Sequence, residues 1–325
     1  MQSLRKLTFQ HAISRSLFIS NHHHVRYLSL AKPCWNENTA SKEQQSTNTA
    51  TNSIEKFPWL LSQDSPRIPK YPYEEAPRDW SFLNMLPISL QHVLGKWLGT
   101  RILQLNTGYD NFPEQFLVGA SLASRQAVSL LSDQINHQDK MEELQHILGP
   151  DLLHRYLESV PANTNIQIDI PQIYDVNLGD IWITLGNSNA FSDERKYDVL
   201  RWMTVQIGLH KYKGKSELEE SFQEYRERIA KSILEGVQVG VDVLVDADVT
   251  YKVTDKESTE NVLLYDEGRR TMRMRFATPY FEPASKMVSG RDKETGEPIN
   301  DWNWRLVDID QLLEKEAMDA AASDE

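Results

Sequence analysis

Three stretches in the C-terminal third of the chain alternate apolar and polar residues with a period of two. They are residues 237–253, 271–281 and 302–307, and they are rich in valine, tyrosine, phenylalanine and tryptophan. Because successive side chains of a strand point to opposite faces, this alternation predicts a twisted antiparallel sheet with one covered face. We expect the last strand, within residues 298–315, to close that sheet.

Residues 112–160 predict the helices that cover the sheet. The first helix spans residues 112–133, has Pro113 in its first turn and carries an apolar stripe. Two shorter helices follow at residues 139–148 and 151–160. A Gly-Pro pair ends the first of them, and a proline ends the second. The predicted fold class is therefore α+β, with N-terminal helices packed on a curved antiparallel sheet of about four to five strands.

Residues 165–175 and 179–186 predict a further hairpin, with turn residues at 177–179. Residues 192–235 then predict a helical insertion, because apolar residues recur at helical spacing among many charges. The apolar residues are Leu218, Phe222, Tyr225, Ile229 and Ile233. The acidic, alanine-rich tail at residues 313–325 is expected to fray.

The N-terminal 34 residues have the composition of a mitochondrial transit peptide. They contain five cations and no acid, with serine and large apolar residues interleaved. A disordered basic tail is the alternative interpretation. Residues 35–79 follow as a polar and then proline-rich lead-in, too poor in apolar groups to fold alone. One compact domain is expected in the rest of the 325 residues.

Charge and cysteine content exclude several classes of function. Without the five leader cations, 30 Lys and Arg face 47 Asp and Glu, a balance near −17. This balance argues against DNA binding, which needs clustered cations. The single cysteine, Cys34, lies at the end of the leader, so the remaining chain has no disulfide, thiolate metal site or thiol nucleophile. That composition fits a reducing compartment such as the mitochondrial matrix.

Residues 80–111 predict an amphipathic segment that associates with a membrane. Between residues 80 and 105 apolar residues dominate, no acid occurs, and Lys96 and Arg101 are the only full charges. These cations and Pro87 make the segment a poor membrane span, but a helix could lie in the lipid interface. The candidate membrane contacts are Trp80, Lys96, Trp97 and Arg101. Alternatively, the segment packs against its own domain.

Arg269, Arg270, Arg273 and Arg275 form a basic cluster in an otherwise acidic chain. One hypothesis is a docking patch for an acidic peptide or for ribosomal RNA. The other is cross-strand pairing with neighbouring aspartates.

Asp242, Asp246 and Asp248 alternate with valines and predict a solvated strand face, or acid and base groups in a cavity. The histidines beyond the leader form no zinc-binding motif, so neither metal nor cofactor is expected.

The order of these segments resembles the Tim-forty-four-like domain family of mitochondria, and within it the members that interact with the matrix AAA protease. The residues that carry the resemblance are 116–120, 127–131, 152–153, 160–161, 176–183 and 304–309. The likeness spans about residues 80–312 without the 192–235 insertion, so a Tim-forty-four-like domain is expected at residues 112–312. The resemblance rests on the order of the segments, and no single motif is specific for the family.

The resemblance implies a half-open, cone-shaped pocket of the nuclear-transport-factor-2-like kind, at the matrix face of the inner membrane. It implies a non-catalytic adaptor with no catalytic residues to assign. The implied partners are the matrix AAA protease, newly imported or synthesised membrane proteins, and the inner-membrane lipid surface. A mitoribosome receptor and a small enzyme that uses the pocket are the alternative functions.

Overall fold

The computed structural model describes residues 85–108, 111–136, 141–159, 164–192, 195–212, 220–257, 261–294, 296–300 and 302–323. The expected transit peptide at residues 1–34 and the lead-in at residues 35–79 lie outside the described residues.

A mixed, curled sheet of seven strands organises the described part of the chain. Its strands are β1 (Thr164–Asp169), β2 (Ile173–Gly186), β3 (Tyr197–Trp202), β4 (Val205–His210), β5 (Val237–Asp255), β6 (Val262–Ala277) and β9 (Arg305–Ile309). The order is β3-β4-β2-β5-β6-β9, and β1 also pairs with β5. The expected α+β class is confirmed. The expectation of four to five antiparallel strands is wrong, because β2 and β4 run parallel and the sheet is larger.

Strand β5 is the centre of the sheet. Its nineteen residues pair with β6 along one edge, and with β2 and then β1 along the other. The nine odd-numbered residues from Val237 to Val253 are all apolar and buried, because they face the core. We call this side of the sheet the inner face and the side with the even-numbered residues of β5 the outer face. The period-two pattern of β5 was thus predicted correctly.

Four N-terminal helices appear in the predicted order. They are α1 (Ile88–Thr107), α2 (Phe116–Asn136), α3 (Met141–Ile147) and α4 (Pro150–Ser159). An irregular turn (Asn111–Gln115) joins the first two. Helix α1 packs on the inner face, since Gly99 lies against Ile181 of β2, whose register partner is Val241. Helix α2 reaches the same face, since Ser132 contacts Ile168 of β1, opposite Tyr251.

The predicted hairpin of residues 165–175 and 179–186 is not present. Strands β1 and β2 each pair with β5, and Asn177 and Leu178 lie within β2 beside a register shift. The predicted turn chemistry therefore corresponds to a β-bulge, which is the other structure that Gly179 and its polar neighbours favour.

The segment 192–235 is only partly the expected helical insertion. Its first half forms the antiparallel hairpin β3–β4, and β4 extends the main sheet beside β2. The second half forms helix α5 (Phe222–Glu235). A capping box between Ser221 and Glu224 stabilises the start of this helix. The helix begins four residues after Leu218, the first residue of the predicted apolar stripe.

The C-terminal prediction also needs correction. Strand β6 begins nine residues before the predicted residue 271, and β9 begins at Arg305, after Trp302 and Trp304. A small separate ribbon, β7 (Gly290–Arg291) with β8 (Pro298–Ile299), precedes it.

The tail expected to fray forms helix α6 (Leu312–Ser323). Buried Asp308 accepts hydrogen bonds from the backbone N–H groups of Leu313 and Glu314 at its start. Arg155 of α4 forms an ion pair with Glu316 at 2.8 Å. These contacts explain why an alanine-rich acidic segment is ordered at this point.

Candidate functional site

Helix α1 packs on the sheet through its smallest residues. Its buried positions, Gln91, Gly95, Gly99 and Leu103, recur every four residues. A Cβ at Gly99 would lie 2.7 Å from the side chain of Ile181, so only glycine allows the helix to approach β2 this closely. The Trp202 indole N–H donates to the Gln91 amide oxygen at 3.1 Å and fixes the first turn.

Six large apolar side chains of α1 point away from the protein, whereas Leu103 is buried. The exposed set is Leu90, Val93, Leu94, Trp97, Leu98 and Leu105, and we call it the α1 apolar face. Val93 is 64% exposed and Trp97 is 61% exposed. A helix of a water-soluble domain normally turns such a stripe toward the core, so an outward stripe marks a surface that binds lipid or another protein.

The predicted membrane contacts have different environments. Trp97 lies on the α1 apolar face, and Arg101 is exposed one turn further along the same stripe. The Lys96 ammonium instead donates a hydrogen bond to the backbone oxygen of Leu178 at 2.7 Å, which draws it toward β2. Trp80 lies outside the described residues. Among the described helices, none combines the length and the hydropathy that crossing a bilayer requires.

An open cavity of about 610 Å³ lies between α2, β6 and the segment that leads into β9. Five aromatic side chains form much of its wall: Phe112, Phe116, Phe276, Trp302 and Trp304. The Phe116 and Trp304 ring centroids are 4.8 Å apart, and the Trp302 and Trp304 rings meet edge to face at 5.7 Å. This cavity is large enough for one or two apolar side chains of a bound segment.

Five side chains in the lining of the cavity are polar: Thr107, Gln126, His146, Asn300 and Asn303. The Trp302 indole N–H donates to the backbone oxygen of Met287 at 2.6 Å, and the Asn300 amide donates to the backbone oxygen of Asn106. The Asn300 Oδ1 atom is buried and accepts no hydrogen bond from the described residues. Apolar side chains form most of the wall, so the cavity suits binding of an apolar group, and His146 adds one imidazole to its lining.

The role of Trp302 and Trp304 in the cavity does not follow from the strand pattern of the sequence. The alternation of Trp302, Trp304 and Leu306 predicts that both tryptophans lie in a strand, whereas the strand starts only at Arg305. The concentration of tryptophan beside Pro298 and Asn300 was the available signal, since aromatic residues in an irregular segment commonly line binding sites.

The four predicted docking arginines do not form one surface. Arg269, Arg273 and Arg275 lie on the outer face, whereas Arg270 alternates to the inner face and pairs with buried Asp310. Arg269 contacts Asp246 at 2.5 Å, and Arg275 contacts Asp242 at 2.7 Å. Cross-strand pairing with aspartates, the second hypothesis for this cluster, is thus confirmed for these two arginines.

The three aspartates of β5 lie on the outer face, opposite the core and the cavity. Asp242 is buried and accepts hydrogen bonds from the Arg275 guanidinium and the Trp182 indole, so its predicted solvated position is wrong. The Arg269 guanidinium lowers the pKa of Asp246, and Asp248 accepts from the Tyr174 hydroxyl at 2.6 Å. None of the three lines the cavity, so the enzyme hypothesis loses its candidate base.

Asp308, near Arg275, is the carboxylate with a strongly raised pKa among the described residues. Burial raises its pKa to about 6, and the N–H of Leu313 and the positive Arg275 oppose that shift only in part. It caps α6 and lies away from the cavity wall, so its role is structural.

No group of potential metal ligands occurs in the described ranges. The functional features that the geometry does bring out are the α1 apolar face and the aromatic cavity. A comparison of the chain with protein-family models and with curated protein sequences finds no match.

Proposed function

We propose that this protein is a non-catalytic adaptor at the matrix face of the mitochondrial inner membrane. Helix α1 lies in the lipid interface, and the helix-and-sheet domain binds the matrix AAA protease or newly imported or synthesised inner-membrane proteins. In this proposal the curled sheet is the cone-shaped, nuclear-transport-factor-2-like domain that the resemblance implies. The observation that carries the proposal is the outward α1 apolar face.

The energetics support a lipid-bound helix. Six large side chains on α1 are each roughly half exposed. Transferring them from water would contribute on the order of 5 kcal/mol before ordering costs. Arg101 on the same stripe would add about 1 kcal/mol near anionic headgroups. Together these contributions suit reversible, peripheral attachment rather than permanent insertion.

The aromatic cavity supports the client-binding part of the proposal. Its wall offers rigid, flat apolar surfaces from Phe116, Trp302 and Trp304, which accept side chains of varied shape. An adaptor that handles several hydrophobic segments benefits from such a surface, because contacts with flat aromatic rings do not dictate a single partner.

The ribosome-receptor alternative has weaker support. Binding to ribosomal RNA needs cations that can neutralise phosphates. Arg269 and Arg275 are instead held by Asp246 and Asp242, and Arg270 points to the inner face. The ordered arginine–aspartate pairs of the outer face fit a structural role better.

Vesicle flotation with cardiolipin-containing liposomes tests the membrane part. The chain is expected to float with the vesicles at low salt, and Val93→Ser with Trp97→Ser is expected to reduce the bound fraction by about tenfold or more. Phe222→Ser, which removes an exposed aromatic residue from α5, is the matched control and should float like the wild type. A wild-type chain that stays with the soluble fraction would remove lipid binding from the proposal.

Affinity capture from crosslinked mitochondria tests the partner class. Enrichment of the matrix AAA protease or of membrane-protein clients is expected, and Trp304→Ala in the cavity should reduce the client signal. Enrichment of ribosomal proteins without the protease would instead favour the receptor alternative.

A further inference from the structure

Strand β6 has a long open edge. Its other edge pairs with β5 over the whole strand, whereas β9 pairs only with the last four residues, Met274 to Ala277. Among the described strands, none pairs with this edge between Val262 and Arg273. Side chains at positions 263, 265, 267, 269 and 271 are all exposed, and Tyr265 is 55% exposed. Such an edge is a template for another strand.

The hydrogen bonds of Arg273 show which backbone groups face this open edge. Its N–H donates to the Asp310 side chain and its carbonyl accepts from the Asp310 N–H, both away from β5. In an antiparallel pair the backbone groups of alternate residues point to the same side. The N–H and C=O groups of Tyr265, Glu267 and Arg269 therefore also point to the open edge.

The sequence along this edge is its own charge complement. Asp266 and Glu267 precede Gly268, and Arg269 and Arg270 follow it. When two copies run antiparallel and cross at Gly268, Glu267 lies opposite Arg269 of the second copy, and Asp266 lies opposite Arg270. Opposite charges at facing positions stabilise a strand pair, and like charges destabilise it.

Only this register combines correct hydrogen bonding with charge complementarity. The backbone groups on the open edge belong to odd-numbered residues, so each hydrogen-bonded pair must join two odd-numbered residues. This excludes every register in which an odd-numbered residue faces an even-numbered one. A slip by one residue to Glu267 or to Arg269 as the crossing point sets two acids or two arginines face to face. Crossing at Gly268 also puts a residue without a side chain where a non-hydrogen-bonded pair brings the chains closest, about 4.5 Å.

We propose that two copies of this chain associate through β6, antiparallel and in register about Gly268, to form one continuous sheet. The Glu267 and Arg269 backbones exchange about four hydrogen bonds across the axis, and Tyr265 lies opposite Thr271 at each end. Within its own chain, Arg269 contacts Asp246, Arg270 pairs with buried Asp310, and Glu267 contacts the Tyr265 hydroxyl. A guanidinium with five donors and a carboxylate with four lone pairs each accommodate a second partner.

Analytical ultracentrifugation of the full chain tests the association. It is carried out in a Val93→Ser and Trp97→Ser background, so that the α1 apolar face does not contribute. A dimer is expected at micromolar concentrations. Glu267→Pro should abolish it, because proline blocks the open edge without removing a bond to β5. Glu267→Arg should weaken the dimer by about tenfold, since it creates two like-charge pairs.

Two controls keep this test specific. Glu142→Arg makes the same charge change at an exposed position of α3. It should leave the dissociation constant of the dimer unchanged. Far-UV circular dichroism and the melting temperature of each variant should match the background protein. A background chain that remains monomeric, or a dimer that survives Glu267→Pro, would overturn the proposal.

Crosslinking tests the register. In a Cys34→Ser background, Gly268→Cys should give a covalent dimer on oxidation or with a short bis-maleimide. Tyr265→Cys should not, because its two copies lie about 20 Å apart in this register. Mixing Tyr265→Cys with Thr271→Cys chains should restore the crosslink. Equal crosslinking of the Gly268→Cys and Tyr265→Cys variants would contradict the register.

Discussion

Helices α1 and α2 have nearly the same length and cover the same face of the sheet, but they differ in the residues that they bury against it. Helix α2 buries Leu130 and Leu131 in the core, although its first turns also expose Val118 and Leu122. Helix α1 buries Gly95 and Gly99 and exposes Leu94 and Trp97. The position of the small residues, rather than the total apolar content, decides which side of a helix meets the sheet.

The largest expected difference concerns leucine truncation. Leu131→Ala on α2 should lower the free energy of unfolding by about 3 kcal/mol, because the side chain is 1% exposed and leaves a cavity. Leu98→Ala on α1, where the leucine is partly exposed, should cost less than about 1 kcal/mol. Urea unfolding followed by circular dichroism measures both values. Equal costs would mean that α1 packs in solution as α2 does.

Overfilling the glycine contact of α1 should have the next largest effect. Gly99→Leu is expected to cost about 2 kcal/mol, since its Cβ would already collide with Ile181. The measured quantity is again the free energy of unfolding, together with the amide exchange rates of α1. Rapid exchange confined to α1 is expected, because the helix would separate from β2. A fully protected helix would show that the close contact is not required.

Polar anchors give a smaller contrast. Ser132→Ala on α2 should cost about 1 kcal/mol, because the Ser132 hydroxyl both donates to and accepts from the Ile168 backbone in a buried position. Lys96→Met on α1 should cost less than about 0.5 kcal/mol, since its bond to Leu178 is exposed to solvent. Thermal unfolding of the two variants at one pH compares their stabilities. A larger loss of stability for Lys96→Met than for Ser132→Ala would contradict this prediction.

The smallest expected effect is a gain. Gly119→Ala on α2 should raise the free energy of unfolding by about 0.5 kcal/mol, because no atom lies within 4 Å of the added Cβ and alanine favours a helix. Chemical denaturation in parallel with the wild type detects this difference. A loss of stability would show that the cavity beside Gly119 is narrower than its structure indicates.

Local patterns predicted the elements that depend on one segment alone. The helices α1 to α4 and strand β5 follow from apolar periodicity, prolines and glycines. The sequence is compatible both with membrane binding by residues 80–111 and with packing of this segment against its own domain. In the structure, α1 contacts its own domain through glycines, and the α1 apolar face is exposed. One helix therefore has both a face that packs on the sheet and an exposed apolar face.

Features that depend on pairing between distant segments were not predictable. Strand β4 lies parallel to β2 only because the β3–β4 hairpin folds back beside it, and the helical periodicity of α5 concealed that hairpin. The strand pattern predicts a solvated Asp242, because the pattern does not show that Arg275 and Trp182 cover this carboxylate. The cavity depends on Trp304 meeting Phe116 across nearly two hundred residues, a contact that no local window contains.

The glycine contact of α1 has a practical consequence for handling this protein. Because most of its bulky side chains lie outside, deleting the helix would remove one exposed apolar surface, but it would also uncover buried Ile181 and its neighbours on β2. Without lipid, detergent or a partner, the protein should therefore aggregate through Trp97 and the leucines around it. A mild detergent should reverse this aggregation.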